Sequence, residues 1–151
     1  MIIEKGTLAA VKEIGENLYY FRVKLPVISG KIKPGNFISI LPPPESGKFI
    51  RRPFSVAGTV SGCVELVIKN IGPVTSSLCR LKEGNRIDVL GPLGNTYSLN
   101  RKSIWMIGGG TGIASILFLN SSRFEAVPSS IYDRVLWAGK TASALPPENV
   151  M

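Results

Sequence analysis

Three short stretches concentrate the residues that could do chemistry. In "RRPFSVA", Arg51 to Ala57, two adjacent arginines precede an aromatic ring and a hydroxyl. A guanidinium offers a planar fork of donors to phosphate, a phenyl ring can cover a flat heterocycle, and a serine can hydrogen-bond a ring nitrogen. The same residues also read as an ordinary strand with a solvated arginine pair. In "NIGPVTSSL", Asn70 to Leu78, a glycine turn opens a helix. A helix start presents free N–H groups and positive potential to an anion, and Thr75 and Ser76 add hydroxyl donors. Any capped helix begins this way too. In "WMIGGGTGIASILFLN", Trp105 to Asn120, Gly108, Gly109, Gly110 and Gly112 lie between apolar flanks. Strand, glycine turn and helix are the layout of a dinucleotide-binding corner. The spacing is not a clean G-x-G-x-x-G, because Ile113 or Ser115 stands at the final place, and Gly139-Lys140 rather than an acid follows the next strand. The rival is a membrane helix, since Ser103 to Asn120 carries no charge and Gly108 to Gly112 matches G-x-x-x-G. The consecutive glycines, Thr111, Ser115 and Asn120 weaken a span, so no membrane segment is expected.

What the chain lacks narrows the chemistry further. It has no histidine, which removes Ser-His-Asp and Cys-His catalysis and the commonest metal ligand. Its carboxylates are few and dispersed, so a bound cofactor is the expected source of any reaction. Cys63 and Cys79 cannot alone supply the four ligands of an ordinary cluster or structural zinc; they read as small buried hydrophobes, and no metal site is expected. Net charge is +8, but the basic residues are scattered. That fits an anionic cofactor or an acidic partner protein better than nucleic acid. With two cysteines and no obvious signal peptide in "MIIEKGTLAAVKEI", a cytoplasmic setting is expected.

The elements that must carry these stretches follow from periodicity. Tyr19 to Leu25 puts Phe21, Val23 and Leu25 on one face; Cys63 to Asn70 does the same with Val64, Leu66 and Ile68. Asn36 to Leu41 and Arg86 to Leu90 are further strands, and Pro42-Pro43-Pro44 stops the first of these. "GPLGN", Gly91 to Asn95, reads as a strand-ending corner. Short strands with Gly and Pro turns predict an antiparallel barrel or sandwich. One helix interrupts them, from Pro73 to a glycine stop at Gly84, with Val74, Leu78 and Leu81 on one face. The pattern changes near Asn100-Arg101-Lys102, giving units 1–100 and 101–151. The second holds strands at Ser103 to Ile107 and Arg134 to Ala138, with helical spacing at Ile113, Ile116 and Leu117 between them. After its two prolines the tail is expected to be loose.

Taken in order, these motifs resemble the ferredoxin–NADP reductase superfamily, and within it the electron-transfer subunits of dihydroorotate dehydrogenase. Arg52, Pro53, Phe54 and Ser55 meet the superfamily's Arg-x-aromatic-Ser pattern; Gly72, Pro73, Val74, Thr75 and Ser76 meet its glycine-then-Ser/Thr motif. Gly108 to Ala114 matches its Gly-Gly-Gly-Thr-Gly-Ile-Ala turn. The resemblance implies a mainly β fold: an antiparallel Greek-key flavin-binding barrel, then a short, incomplete Rossmann-like α/β segment. It implies FAD as cofactor, with Arg52 on the pyrophosphate, Phe54 against the isoalloxazine, and Ser55 as the catalytic residue near the reactive N5 edge. Pro53, Lys69, Gly72, Val74, Thr75 and Ser76 complete the implied FAD set. Gly108, Gly109, Gly110, Thr111 and Gly112 would receive the pyrophosphate of NAD(P)H. The implied activity is electron passage between NAD(P)H, FAD and a redox partner or catalytic subunit. The departures are Ser115, where the superfamily has proline, and the absence of the later cysteine–glycine motif and cysteine cluster. The expectation is therefore a C-terminally truncated reductase with impaired NAD(P)H binding. Exposed sheet edges would be covered in a homodimer or hetero-oligomer. A binding or assembly subunit that keeps the barrel without redox activity is the alternative.

Overall fold

A computed structural model of the chain describes residues 1–98, 104–126 and 132–138. Gly139-Lys140, the tail and the junction at 99–103 lie outside the described residues. Six strands close into a barrel: β1 (Ile2–Gly15), β2 (Leu18–Lys24), β3 (Phe37–Ile40), β4 (Arg52–Val60), β5 (Cys63–Lys69) and β6 (Arg86–Leu93). Their order is β1-β2-β5-β4-β3-β6, and every pairing is antiparallel. The fold is thus mainly β, as the turn-punctuated strands predict. β1 is a strand the periodicity does not mark. It is long because it serves two neighbours: Ile2 to Thr7 pair with β6, and Thr7 to Gly15 pair with β2.

The expected inward faces fill the barrel. Phe21, Val23, Val64 and Leu66 are wholly buried, and Ile38, Ile40, Val56 and Val89 pack with them. Two short helices plug gaps. In α1 (Pro26–Ser29), Ile28 enters the core, and the Glu4 carboxylate accepts from the N–H groups of Val27 at 3.1 Å and Ile28 at 2.8 Å. In α2 (Pro73–Cys79), Val74 and Leu78 do the same. This helix ends five residues before Gly84, the expected stop. The chain leaves it at Arg80 and makes a separate turn, in which Asn85 Oδ1 accepts from Lys82 N–H at 2.8 Å and Gly84 N–H donates to the Leu8 carbonyl at 2.8 Å. Leu81 keeps the helical spacing but reaches the core from that turn.

After the barrel come β7 (Ile104–Gly109), a single 3₁₀ turn (Gly110–Gly112), α3 (Ile113–Ala126) and β8 (Tyr132–Ala138). β7 and β8 pair in parallel. α3 is packed on two sides. Ala114 joins Leu18 and Val67 on the outer barrel wall, and Phe118 joins the main core. On the other side Ile113 and Ile116 meet Gly108 of β7. The first two turns of the helix, Ile113 to Leu119, are packed from both sides and are apolar but for Ser115; together with β7 they account for the charge-free run that resembles a membrane span. Among the described residues no helix is long and apolar enough to cross a membrane. On the opposite face of β7, Ile107 is 66% exposed.

The outer wall also carries a polar cluster. Tyr20 donates its hydroxyl to Glu65 Oε1, Arg22 Nε donates to the Tyr20 oxygen at 3.0 Å, and Arg22 Nη2 pairs with Glu65 at 3.1 Å. Burial, then the Glu65 carboxylate, push the Tyr20 hydroxyl up to about 12. Burial and Glu13 likewise push the Cys79 thiol up to about 11. Both groups hold their protons more tightly folded than unfolded. Stability should therefore be level below about pH 9 and fall as pH rises towards 11 and beyond, where the unfolded chain sheds those protons first. Urea midpoints across that range test this; a Tyr20→Phe, Cys79→Ala double variant should show a shallower decline.

Candidate functional site

The barrel is closed, but one of its seams is short. The β4–β5 ladder runs from Val60–Cys63 to Val56–Leu66 and stops there. Beyond it, Arg52 to Ser55 pair only with β3, and Val67 to Lys69 pair only with β2. The two strands splay, and the gap between them is a cleft of about 550 Å³. Alternate residues of an antiparallel strand direct N–H and C=O to opposite neighbours, so both lips present backbone groups with no strand to receive them.

The lining assembles most of the residues singled out above. Arg52, Pro53, Phe54 and Ser55 form one lip, Lys69 ends the other, and Gly72, Val74 and Thr75 close the far side from α2. Thr111 reaches the cleft from the glycine turn. Gly108, Gly109, Gly110 and Gly112 do not line it. Gly110 supplies the left-handed turn, at φ +55°, and Gly108 lets α3 approach: a Cβ there would lie 3.2 Å from Ile113 Cα. Ser76 turns away, donating its hydroxyl to Asn70 Oδ1 at 2.6 Å. The Thr75 hydroxyl is also committed locally, accepting from Ile71 and Gly72 N–H and donating to the Gly72 carbonyl. What this turn offers a ligand is backbone N–H, not the hydroxyl donors the sequence advertises.

The arginine pair divides. Arg51 Nη2 donates to Asp88 Oδ1 at 2.6 Å, and its Nη1 donates to the carbonyls of Ser39 at 3.3 Å and Asp88 at 3.2 Å. It is a strut between β3 and β6. Arg52 is exposed in the cleft and belongs to neither of the two ion pairs among the described residues. With Lys48 and Lys69 it gives the lining three cations, and no carboxylate lines the cleft among the described residues. Lys48 and Ile71 are lining residues that sequence reasoning missed; only the folded path brings them to the strands. A second, smaller cleft of about 390 Å³ flanks Pro53 to Ser55 on the other side. There Tyr97 donates its hydroxyl to Ser115 Oγ at 3.1 Å, tying the barrel's exit to the start of α3.

A positive, largely apolar slot with an aromatic side chain and unpaired strand edges suits a flat ring carrying phosphates. The family comparison agrees: the model of the oxidoreductase FAD-binding domain matches residues 5–97, which hold every barrel and α2 residue of the cleft. The chain belongs to the oxidoreductase FAD-binding domain family. A dihydroorotate dehydrogenase B (NAD(+)) electron transfer subunit homolog from Thermotoga maritima is 36% identical over 118 residues, covering 76% of this chain and 41% of that protein. The corresponding electron transfer subunit of Bacillus velezensis is 32% identical over 125 residues, covering 79% of this chain and 49% of that protein. The chain thus spans less than half the length of either relative. Among solved structures, an NADH-dependent reduced ferredoxin–NADP oxidoreductase superposes with TM-score 0.83 at 28% identity, covering 97% of this chain and 52% of that one. A cytochrome P450 reductase from Amycolatopsis shares the fold, with TM-score 0.82 at 21% identity. The ferredoxin-reductase resemblance read from the motifs is thereby established.

Proposed function

We propose that the FAD-binding domain holds FAD in the β4–β5 cleft and serves as an electron-transfer subunit between NAD(P)H and a partner protein. The observation that carries this reading is the open seam itself, with its three cations and, among the described residues, no carboxylate in its lining. In this reading residues 1–100 are the flavin unit and residues 101–151 begin the nicotinamide-nucleotide unit. Bound FAD would supply hydride acceptance and onward electron transfer. The chain's own part is binding and orientation. Arg52 and Lys69 would offset the charge of the diphosphate, and the Val74 and Thr75 N–H groups would donate to it. Phe54 would lie against the ring, and Ser55 would hold a hydrogen bond at its reactive edge. Thr111 brings the glycine turn to the same cleft, which supports a nicotinamide nucleotide arriving from that side. A partner or catalytic subunit is proposed by analogy with the electron transfer subunits this chain is similar to.

Absorbance spectroscopy tests the proposal. Protein soaked in FAD and freed of excess by gel filtration is expected to stay yellow. Anaerobic NADH or NADPH is then expected to bleach it. Colourless protein after soaking would sink the flavin reading and favour a binding or assembly role for the barrel.

A further inference from the structure

We infer that Lys48 makes this cleft select a dinucleotide flavin over a mononucleotide one; the inference rests on the flavin reading above. Strand register orders the lining. The cleft is shut at Val56–Leu66, so Ser55 and Val67 lie at its closed end and Arg52 and Lys69 at its open end. At roughly 3.3 Å per strand residue, Arg52 sits about 10 Å beyond Ser55. A ring at Ser55 therefore places its first phosphate near Arg52, where a mononucleotide ends. The lining does not end there. Lys48 and Ile71 also line the cleft, on the segments that lead into β4 and away from β5, four residues before Arg52 and two after Lys69.

Lys48 is held for a role at that end. Gly47 takes a left-handed conformation at φ +62°, and Lys48 N–H donates to Ser46 Oγ at 3.2 Å. The 3₁₀ turn Pro44–Ser46 packs beside α2, whose first residues form the far wall. The Lys48 side chain is exposed and joins neither ion pair among the described residues. Its ammonium is free to meet the second phosphate or the ribose hydroxyls of the nucleotide half. Ile71, 80% exposed, offers an apolar surface to the base.

The test compares FAD and FMN affinities of the whole chain by flavin fluorescence titration. Wild-type protein is expected to prefer FAD. Lys48→Ala should lower the FAD-to-FMN affinity ratio roughly tenfold, the size of one lost charge-assisted contact. Lys48→Arg should keep most of it, and the thermal midpoint without flavin shows whether each variant is folded. A wild-type preference for FAD that Lys48→Ala leaves intact overturns the inference alone. Wild-type protein that binds neither flavin overturns the underlying reading and this inference with it.

Discussion

Arg52→Ala is expected to weaken FAD binding by roughly 10- to 100-fold, the loss of a charge-assisted, two-pronged contact worth about 1.5–3 kcal/mol. Its neighbour provides the internal control. Arg51 braces Asp88 and the Ser39 carbonyl. Arg51→Ala removes this donor from the part-buried Asp88 carboxylate and the buried Ser39 carbonyl and should cost about 1–3 kcal/mol of stability, with a far smaller effect on FAD affinity. Fluorescence titration and urea denaturation of both variants separate the two roles. Equal FAD affinity in Arg52→Ala and wild type would refute the assignment of the cleft.

Phe21→Ala should lower stability by about 3–5 kcal/mol. Phe21 is wholly buried in the barrel, on a strand paired with Leu66 on one side and Val11 on the other. Removing the ring leaves a cavity that rigid strands cannot collapse to fill. Against a typical domain stability of about 5–15 kcal/mol, this variant stands near the unfolding threshold at room temperature. A urea-derived loss below about 1.5 kcal/mol would show that the barrel repacks far more readily than its hydrogen-bonded closure allows.

The barrel was legible wherever one strand face is buried and the other wet, as in Phe21–Val23 and Val64–Leu66–Ile68. It was illegible in β1, where Gly6, Ala9 and Ala10 dilute the alternation and two register shifts break it. Val67 sits on the face expected to be polar because α3 covers the barrel wall there, a contact that no local pattern encodes. The α2 boundary was misplaced because Leu81 preserves helical spacing after the helix has ended. Of the motif residues, Arg52 to Ser55, Lys69, Gly72, Val74, Thr75 and Thr111 line the cleft, whereas Ser76 and the glycines at 108, 109, 110 and 112 do not. Adjacent arginines look alike in sequence, and only the β3–β6 packing makes Arg51 a strut while Arg52 stays free. Lys48 carries no local signal; its position depends on a turn that closes against α2.

The short β4–β5 seam has a consequence for how this protein exists in solution. A ladder that stops midway leaves the barrel's weakest stretch at the place proposed to receive the cofactor. The flavin would then act as part of the scaffold, spanning two lips that no hydrogen bond joins. Because it binds the folded chain alone, it would stabilise folding in proportion to the logarithm of its free concentration. Abundance of the folded domain would follow flavin supply, and the amides of Arg52, Phe54, Ser55 and Val67 to Lys69, which flank the gap, would exchange most slowly when that supply is full.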